Sequence, residues 1–213
     1  QGIMVRVDSG IDSLADMDGK SICAQSGTTT EKNISDAARR HGIDLEVLVY
    51  TEMNQIRETY LAGRCDGYTT DQSELIGYHA IMDNPDQHKI LPDVVSKEPL
   101  AIYVRHGDDN WFDIMNWTFY CMVGAEELEV TSENVDEMLA SENPVVLAML
   151  GVEGELGKSM GLNNDWCYQV IKQVGNYGEV FSRNLGPDSP LKLERGLNDL
   201  WNRGGLLYAP PMR

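Results

Sequence analysis

The chain has 213 residues, of which 17 are basic and 34 acidic, so its formal net charge is −17 with histidine neutral. A hydrophobic fraction of 42% and a charged fraction of 24% are typical of a globular protein with one large domain or two small ones. The acidic excess excludes a nucleic-acid partner, because contacts to phosphate need clustered lysine and arginine. No stretch approaches the roughly 20 apolar residues of a membrane-spanning helix, so we expect a chain that is not embedded in a membrane.

The chain begins within a strand-like pattern. Residues 1–7 lack the basic segment and the small-residue cleavage site of a signal peptide. Two interpretations remain open: a leader has been removed, or these residues belong to the later part of a longer protein.

The first half of the chain alternates between strand-like and helix-like stretches. The predicted strands are residues 21–25, 45–51, 66–70, 89–95 and 101–104. Two helices are predicted over 30–41 and 54–62, and each is followed by a glycine of the kind that ends helices. This alternation predicts βαβ units and a mainly parallel sheet.

The second half of the chain carries almost no strand signal. The predicted helices are residues 111–123, 133–139, 145–150, 166–174 and 193–201. Ordinary helix packing is the default explanation for their large apolar side chains. Amphipathic helices must nevertheless bury their apolar faces against something, and this half offers little sheet for the purpose.

The four cysteines do not indicate a metal or redox motif, because no two of them form a CxxC pair. Cys23 lies in one predicted strand and Cys65 just before another, so a disulfide is possible if those strands are neighbours. Free buried thiols in a reducing compartment are the alternative. Cys121 and Cys167 fall in predicted helices, where we expect simple core packing.

Catalytic and metal-binding patterns are absent from the sequence. The four histidines, His41, His79, His88 and His106, are scattered, and no two have the spacing of a helical metal site. No GxSxG, P-loop or GxGxxG pattern occurs. We therefore expect no metal, no cofactor and no enzymatic activity.

A polar, glycine-containing turn joins the strand at 21–25 to the helix that follows. Its candidate ligand-binding side chains are those of Gln25, Ser26, Thr28, Thr29 and Thr30. Thr28 or Thr29 can cap the helix, and Glu31 lies in its first turn, where negative charge suits the helix dipole. The N–H groups of such a turn can also donate hydrogen bonds to a carboxylate or another polar group of a ligand.

A carboxylate, Asp71, follows the strand predicted at 66–70. Ligands of open α/β sheets bind at the carboxyl ends of the strands, and Asp71 could pair there with a ligand ammonium. Either feature alone is more often a plain cap or a solvated loop. Their joint position at strand ends favours a ligand site.

Six segments, taken together, resemble the periplasmic solute-binding component of general L-amino-acid ABC transporters. They are GKSICAQSGTTTE at 19–31, AGRCDGYTTD at 62–71, SKEPLAIYVRHGDDNW at 96–111, VGNYGEVF at 174–181, GPDSPL at 186–191 and GGLLYAPPMR at 204–213. The resemblance runs in order along essentially the whole chain. It implies the type 2 periplasmic binding-protein fold, an α/β fold whose two lobes are joined by two crossing strands and close on an amino acid.

The resemblance also implies roles for particular residues. Residues 2–7 and 101–105 correspond to the crossing strands, so we divide the chain into an α/β lobe at 1–105 and a helical C-terminal half at 106–213. Gln25, Ser26, Thr28, Thr29 and Thr30 match the ligand-facing loop, and Asp71 matches the acidic residue that grips the ligand ammonium. Because family members are exported to the periplasm, the resemblance favours a Cys23–Cys65 disulfide, and it implies an ABC transporter permease as partner.

One departure from the family concerns the first lobe. The family normally has roughly a hundred more residues before the first crossing strand, about the size of most of one lobe. They include an aromatic contact and the arginine that clamps the ligand carboxylate. We therefore expect a truncated solute-binding protein that forms a homo-oligomer through its helical half, with its amino-acid-like ligand held between subunits.

Two other functions compete with solute binding. An oligomeric assembly module that has lost solute binding is the alternative. An enzyme related to the dehydratases or lyases of this fold would need an acid–base residue, for which Glu98 or His106 would be the candidate. Packing near the crossing strands explains those two residues more simply.

Overall fold

The computed structural model of the chain describes residues 1–97 and 99–212, so Glu98 lies outside the described residues. It divides into two units, Gln1–Ala101 (unit 1) and Ile102–Arg213 (unit 2), whereas the sequence-based division falls after residue 105. Unit 1 is α/β and unit 2 is built from helices.

Unit 1 contains a five-stranded sheet. Its strands are β1 (Gly2–Arg6), β2 (Lys20–Gln25), β3 (Leu45–Tyr50), β4 (Gly67–Thr70) and β5 (His88–Ile90), in the order β3-β2-β4-β1-β5. β2 is parallel to β3 and β4, but β1 is antiparallel to both β4 and β5. The sheet is therefore mixed: β2, β3, β4 and β5 run in one direction, in line with the expected mainly parallel sheet, and β1 inserts between β4 and β5 in the opposite direction.

Helices cover both faces of this sheet. They are α1 (Thr29–His41), α2 (Met53–Leu61) and α3 (Gln72–Ile81). Side chains alternate between the two faces of a strand, so Ile3 of β1 packs in the α1-side core with Ile34, while Met4 joins Ile56 and Leu75 on the α2 and α3 side. Each face therefore has its own apolar core.

Two strand predictions differ from the structure. The strand expected at 89–95 ends at Ile90, because Pro92 has no N–H to donate to a ladder. Residues 101–105 form no strand, and the crossing strand expected there is absent from the structure. A strand needs a hydrogen-bonded neighbour, and this segment pairs with no strand among the described residues.

Unit 2 consists of six helices among its described residues. They are α4 (Asp109–Glu127), α5 (Val135–Met138), α6 (Pro144–Met149), α7 (Leu156–Ser159), α8 (Trp166–Val174) and α9 (Tyr177–Asn184). The helix expected at 193–201 is replaced by two 3-10 turns, Gly196–Asn198 and Trp201–Arg203. The φ angle of 51° at Gly196 lies in the left-handed region, so a regular α-helix cannot continue through this residue.

The structure contains two disulfide bonds, one in each unit. Cys23 of β2 is bonded to Cys65, and the two Cα atoms are 5.8 Å apart. Cys121 of α4 is bonded to Cys167 of α8, with a Cα separation of 5.9 Å. Simple core packing was therefore the wrong expectation for the second pair: α4 and α8 pack against each other and bring the two thiols together in the core.

Candidate functional site

The carboxyl ends of β2 and β4 lie side by side. These parallel strands pair Cys23 with Tyr68, and Ser26 and Asp71 are the first residues after their neighbouring carboxyl ends. Neighbouring strands are about 4.8 Å apart. The structure therefore brings the predicted polar loop and the predicted carboxylate to one edge of the sheet, which we call the candidate edge (residues 25–30 and Asp71).

The loop on the candidate edge is fixed by a helix cap. Thr28 is the N-cap of α1: its hydroxyl oxygen accepts from the Glu31 N–H at 3.4 Å, and the hydroxyl donates to the Gln25 carbonyl at 2.7 Å. The Glu31 carboxylate accepts from the Gly27 N–H at 2.8 Å. The N–H groups of Thr29 and Thr30 belong to the first turn, which has no intrahelical acceptors for them.

The five predicted loop residues differ in exposure. Ser26 and Thr29 are exposed, whereas Gln25 and Thr28 are partly buried. The Gln25 side-chain amide donates to the Thr51 carbonyl at 3.0 Å. Thr30 is buried, so it offers a ligand its main chain more readily than its hydroxyl.

Two carboxylates lie near the start of α3, and their surroundings differ. Glu74 is engaged: it accepts from the Arg57 guanidinium at 2.8 Å and from the Thr70 hydroxyl at 3.0 Å. Asp71 occupies the N-cap position, but its side chain makes no cap hydrogen bond. Of the two, Asp71 is therefore the carboxylate placed to receive a cation from outside the chain.

A buried aromatic group supports this end of the sheet. Burial raises the pKa of Tyr68 to about 12, so the phenol is neutral at ordinary pH. Its hydroxyl lies 3.8 Å from the sulfur of Met53, and the Arg57 guanidinium lies 4.5 Å from the Tyr78 ring centroid. These contacts hold α2 and α3 against β4.

Several polar residues at this edge were not indicated by the sequence. The side chain of Gln1 contacts Thr30 and Thr69, and Arg57 is paired with Glu74. These contacts join residues that are far apart in the chain, so no local pattern marks them. Ser96, which accepts a hydrogen bond from the main-chain nitrogen of Gln1, lies in a segment quoted above only for its resemblance.

Within residues 1–97 and 99–212, no three His, Cys, Asp or Glu side chains are grouped so as to hold a metal ion. No helix in that part of the chain has the length and apolarity needed to cross a membrane.

Known proteins resemble this chain along its whole length. Residues 1–89 match the NMT1/THI5-like family. The chain is 50% identical to the general L-amino acid-binding periplasmic protein AapJ of Rhizobium johnstonii, and 44% identical to the glutamate/glutamine/aspartate/asparagine-binding protein BztA of Rhodobacter capsulatus. Each match includes all of this chain but only 63% of the relative. The chain thus spans less than two thirds of these curated relatives.

A solved structure agrees with these relatives. An ABC transporter periplasmic binding protein from Brucella ovis, with glutathione bound, superposes with a TM-score of 0.95 and is 45% identical. The alignment covers 100% of this chain and 67% of that protein. All three proteins are named as binding proteins, and the Brucella ovis protein is named as one of an ABC transporter. The chain belongs to the periplasmic binding proteins of ABC transporters and has their type 2 fold.

Proposed function

We propose that the candidate edge forms one side of a binding site for an α-amino acid or a related small zwitterion. The observation that carries this proposal is the uncapped Asp71 carboxylate at the end of β4, beside the end of β2, whose loop leads into the first turn of α1. Asp71 suits a ligand ammonium, and the N–H groups of Thr29 and Thr30 suit a carboxylate. The two charged groups of a zwitterion thus have complementary partners on neighbouring strand ends.

The ligands named for the relatives support the same chemistry. BztA is named for glutamate, glutamine, aspartate and asparagine, and the Brucella ovis protein holds glutathione. All five molecules carry a free α-ammonium group beside an α-carboxylate. We infer that this chain recognises that shared head group, in a periplasmic receptor that delivers its solute to an ABC transporter permease.

Replacing Asp71 tests this function. Asp71→Asn removes the charge with little change of shape, so we expect calorimetric affinity for L-glutamine, L-glutamate and glutathione to fall about 10- to 100-fold. That range corresponds to the loss of one charge-assisted hydrogen bond.

Asp86→Asn is the matched control, because Asp86 is an exposed carboxylate of the same unit outside the candidate edge. It removes the same charge and should leave the affinity unchanged. Equal affinities for Asp71→Asn and the unmodified chain would refute the role of Asp71. If the unmodified chain binds none of the three probes, the proposed function itself fails.

Exposed aromatic residues favour self-association as a second property. Trp111, Phe112, Trp201 and Tyr208 of unit 2 are all exposed, and Trp201 and Tyr208 are 62% and 65% accessible. Large apolar side chains exposed to water are candidates for an interaction surface, and closed symmetry is the usual way to bury such a surface. We propose that the chain forms a homo-oligomer through unit 2. Such an oligomer is also what the alternative function, an assembly module, would require.

Light scattering on the purified chain tests this association. At micromolar concentration we expect a dimer or larger species, and Trp111→Asp combined with Phe112→Asp should shift it toward monomer. Ile81→Asp is the control, since Ile81 is an equally apolar, 79% exposed residue of unit 1. A well-folded monomer of the unmodified chain would exclude the oligomer.

A further inference from the structure

A buried side-chain amide links segments that carry the candidate site. The Nε2 atom of Gln1 donates to the Thr30 carbonyl at 3.1 Å and to the Thr69 hydroxyl oxygen at 2.9 Å. Thr69 in turn donates to the Gly2 carbonyl at 2.7 Å. Gln1 is 5% exposed and Thr69 is fully buried, so this Gln1 network (Gln1, Gly2, Thr30 and Thr69) is shielded from water.

The two ends of the Gln1 network lie beside the two halves of the candidate edge. Thr30 belongs to the first turn of α1, whose N–H groups face the proposed ligand carboxylate. Thr69 lies on β4 two residues before Asp71, and the antiparallel register pairs Gly2 with Thr70. The network therefore connects the start of α1 with the strand end that carries the proposed ammonium partner.

Main-chain hydrogen bonds add a further segment to this junction. The Gln1 carbonyl accepts from the Val95 N–H at 3.0 Å, and the Gln1 nitrogen donates to the Ser96 carbonyl at 3.0 Å. A buried donor or acceptor that loses its partner is costly. Each member of the network is thus held by hydrogen bonds to the others, and moving one of them would leave a buried polar group unpaired.

We propose that Gln1 and Thr69 are positioning residues, which set the spacing between the first turn of α1 and Asp71. Neither side chain needs to touch the ligand. The proposal rests on the function proposed above and adds the part of the molecule that fixes the geometry of its site. A preorganised site binds more tightly, because fewer groups must be ordered when the ligand arrives.

Hydrogen exchange in the unliganded chain gives the first test. Thr69→Val removes the hydroxyl and keeps the shape, so the Gly2 carbonyl loses one donor and the Gln1 amide loses one acceptor. The amide hydrogen of Ile34, which bonds to the Thr30 carbonyl in helical geometry, should then exchange on the order of tenfold faster. Thr69→Ser retains the hydroxyl and should restore slow exchange.

Ligand binding gives the second test. Calorimetry with glutathione and L-glutamine should show about tenfold weaker binding for Thr69→Val and wild-type affinity for Thr69→Ser. Thr59→Val is the matched control, because Thr59 is a buried threonine of α2 in the same unit, 7% exposed. If Thr59→Val weakens binding as much as Thr69→Val does, the effect is a general loss of stability, and the positioning role is wrong.

The two tests separate this inference from the function on which it rests. If the unmodified chain binds neither probe, the proposed function fails, and the exchange measurement alone decides the role of the Gln1 network. Unchanged exchange at Ile34 in Thr69→Val overturns the positioning role, whatever the binding result.

Discussion

Gly151→Ala should destabilise unit 2 by at least about 3 kcal/mol, the range reached when a substitution forces atoms to overlap in a packed structure. Gly151 follows α6 with a φ of 78°, in the left-handed region. A Cβ atom built on it would overlap the carbonyl group of Asn164. That carbonyl is backbone, so a rotamer change cannot relieve the overlap.

Gly154→Ala is the matched control for this substitution. Gly154 has a φ of 75°, but an added Cβ would meet no atom within 4 Å. The Gly154→Ala variant should therefore lose only about 1 kcal/mol of unfolding free energy, the cost of holding an L-residue in the left-handed region. Urea unfolding can be followed by tryptophan fluorescence, because all 4 tryptophans of the chain lie in unit 2. Equal losses for the two variants would show that the predicted overlap is relieved.

Removing the Cys23–Cys65 bond should lower the free energy of unfolding of unit 1 by about 3–4 kcal/mol. The two cysteines are 42 residues apart, and a cross-link that closes a loop of this size restricts the unfolded chain by about that amount in the chain-entropy model. Cys23→Ala combined with Cys65→Ala should therefore unfold at markedly lower urea concentration. Far-UV circular dichroism is the suitable measurement, because unit 1 contains no tryptophan.

A reduced chain provides the control for the lost sulfur atoms. In a Cys121→Ala and Cys167→Ala background, a reducing agent breaks only the Cys23–Cys65 bond and leaves both sulfur atoms in the core. The reduced and oxidised forms should then differ by nearly the same 3–4 kcal/mol. If reduction changes the urea midpoint little, the loss in the alanine variant comes from a cavity and not from the missing cross-link.

Local patterns in the sequence predicted much of unit 1. The strands at β2, β3 and β4 and the helices α1 and α2 lie within a few residues of their expected places, because alternation and glycine stops are local signals. α3 was missed because Leu75 is its single buried side chain, so it carries no apolar stripe with helical period. The antiparallel pairing of β1 depends on partners more than 60 residues away, which no local pattern reports.

The position of the candidate edge was predictable from local sequence, whereas the contacts that support it were not. The turn around Thr28 and the carboxylate at Asp71 each follow a strand, so the rule for strand ends places them together. The bond between Gln1 and Thr69 joins residues 68 positions apart, and the Arg57–Glu74 pair joins residues 17 apart. Such pairs depend on the assembled fold, and a single sequence holds no trace of them.

The two disulfide bonds have a consequence for how the chain matures. Four cysteines can pair in three ways, and in the structure each bond stays within one unit. A polypeptide that emerges from its amino end exposes Cys23 and Cys65 to an oxidant before either later cysteine follows. The order in which the cysteines emerge thus favours the native pairs, and the chain avoids a slow reshuffling of non-native disulfide bonds.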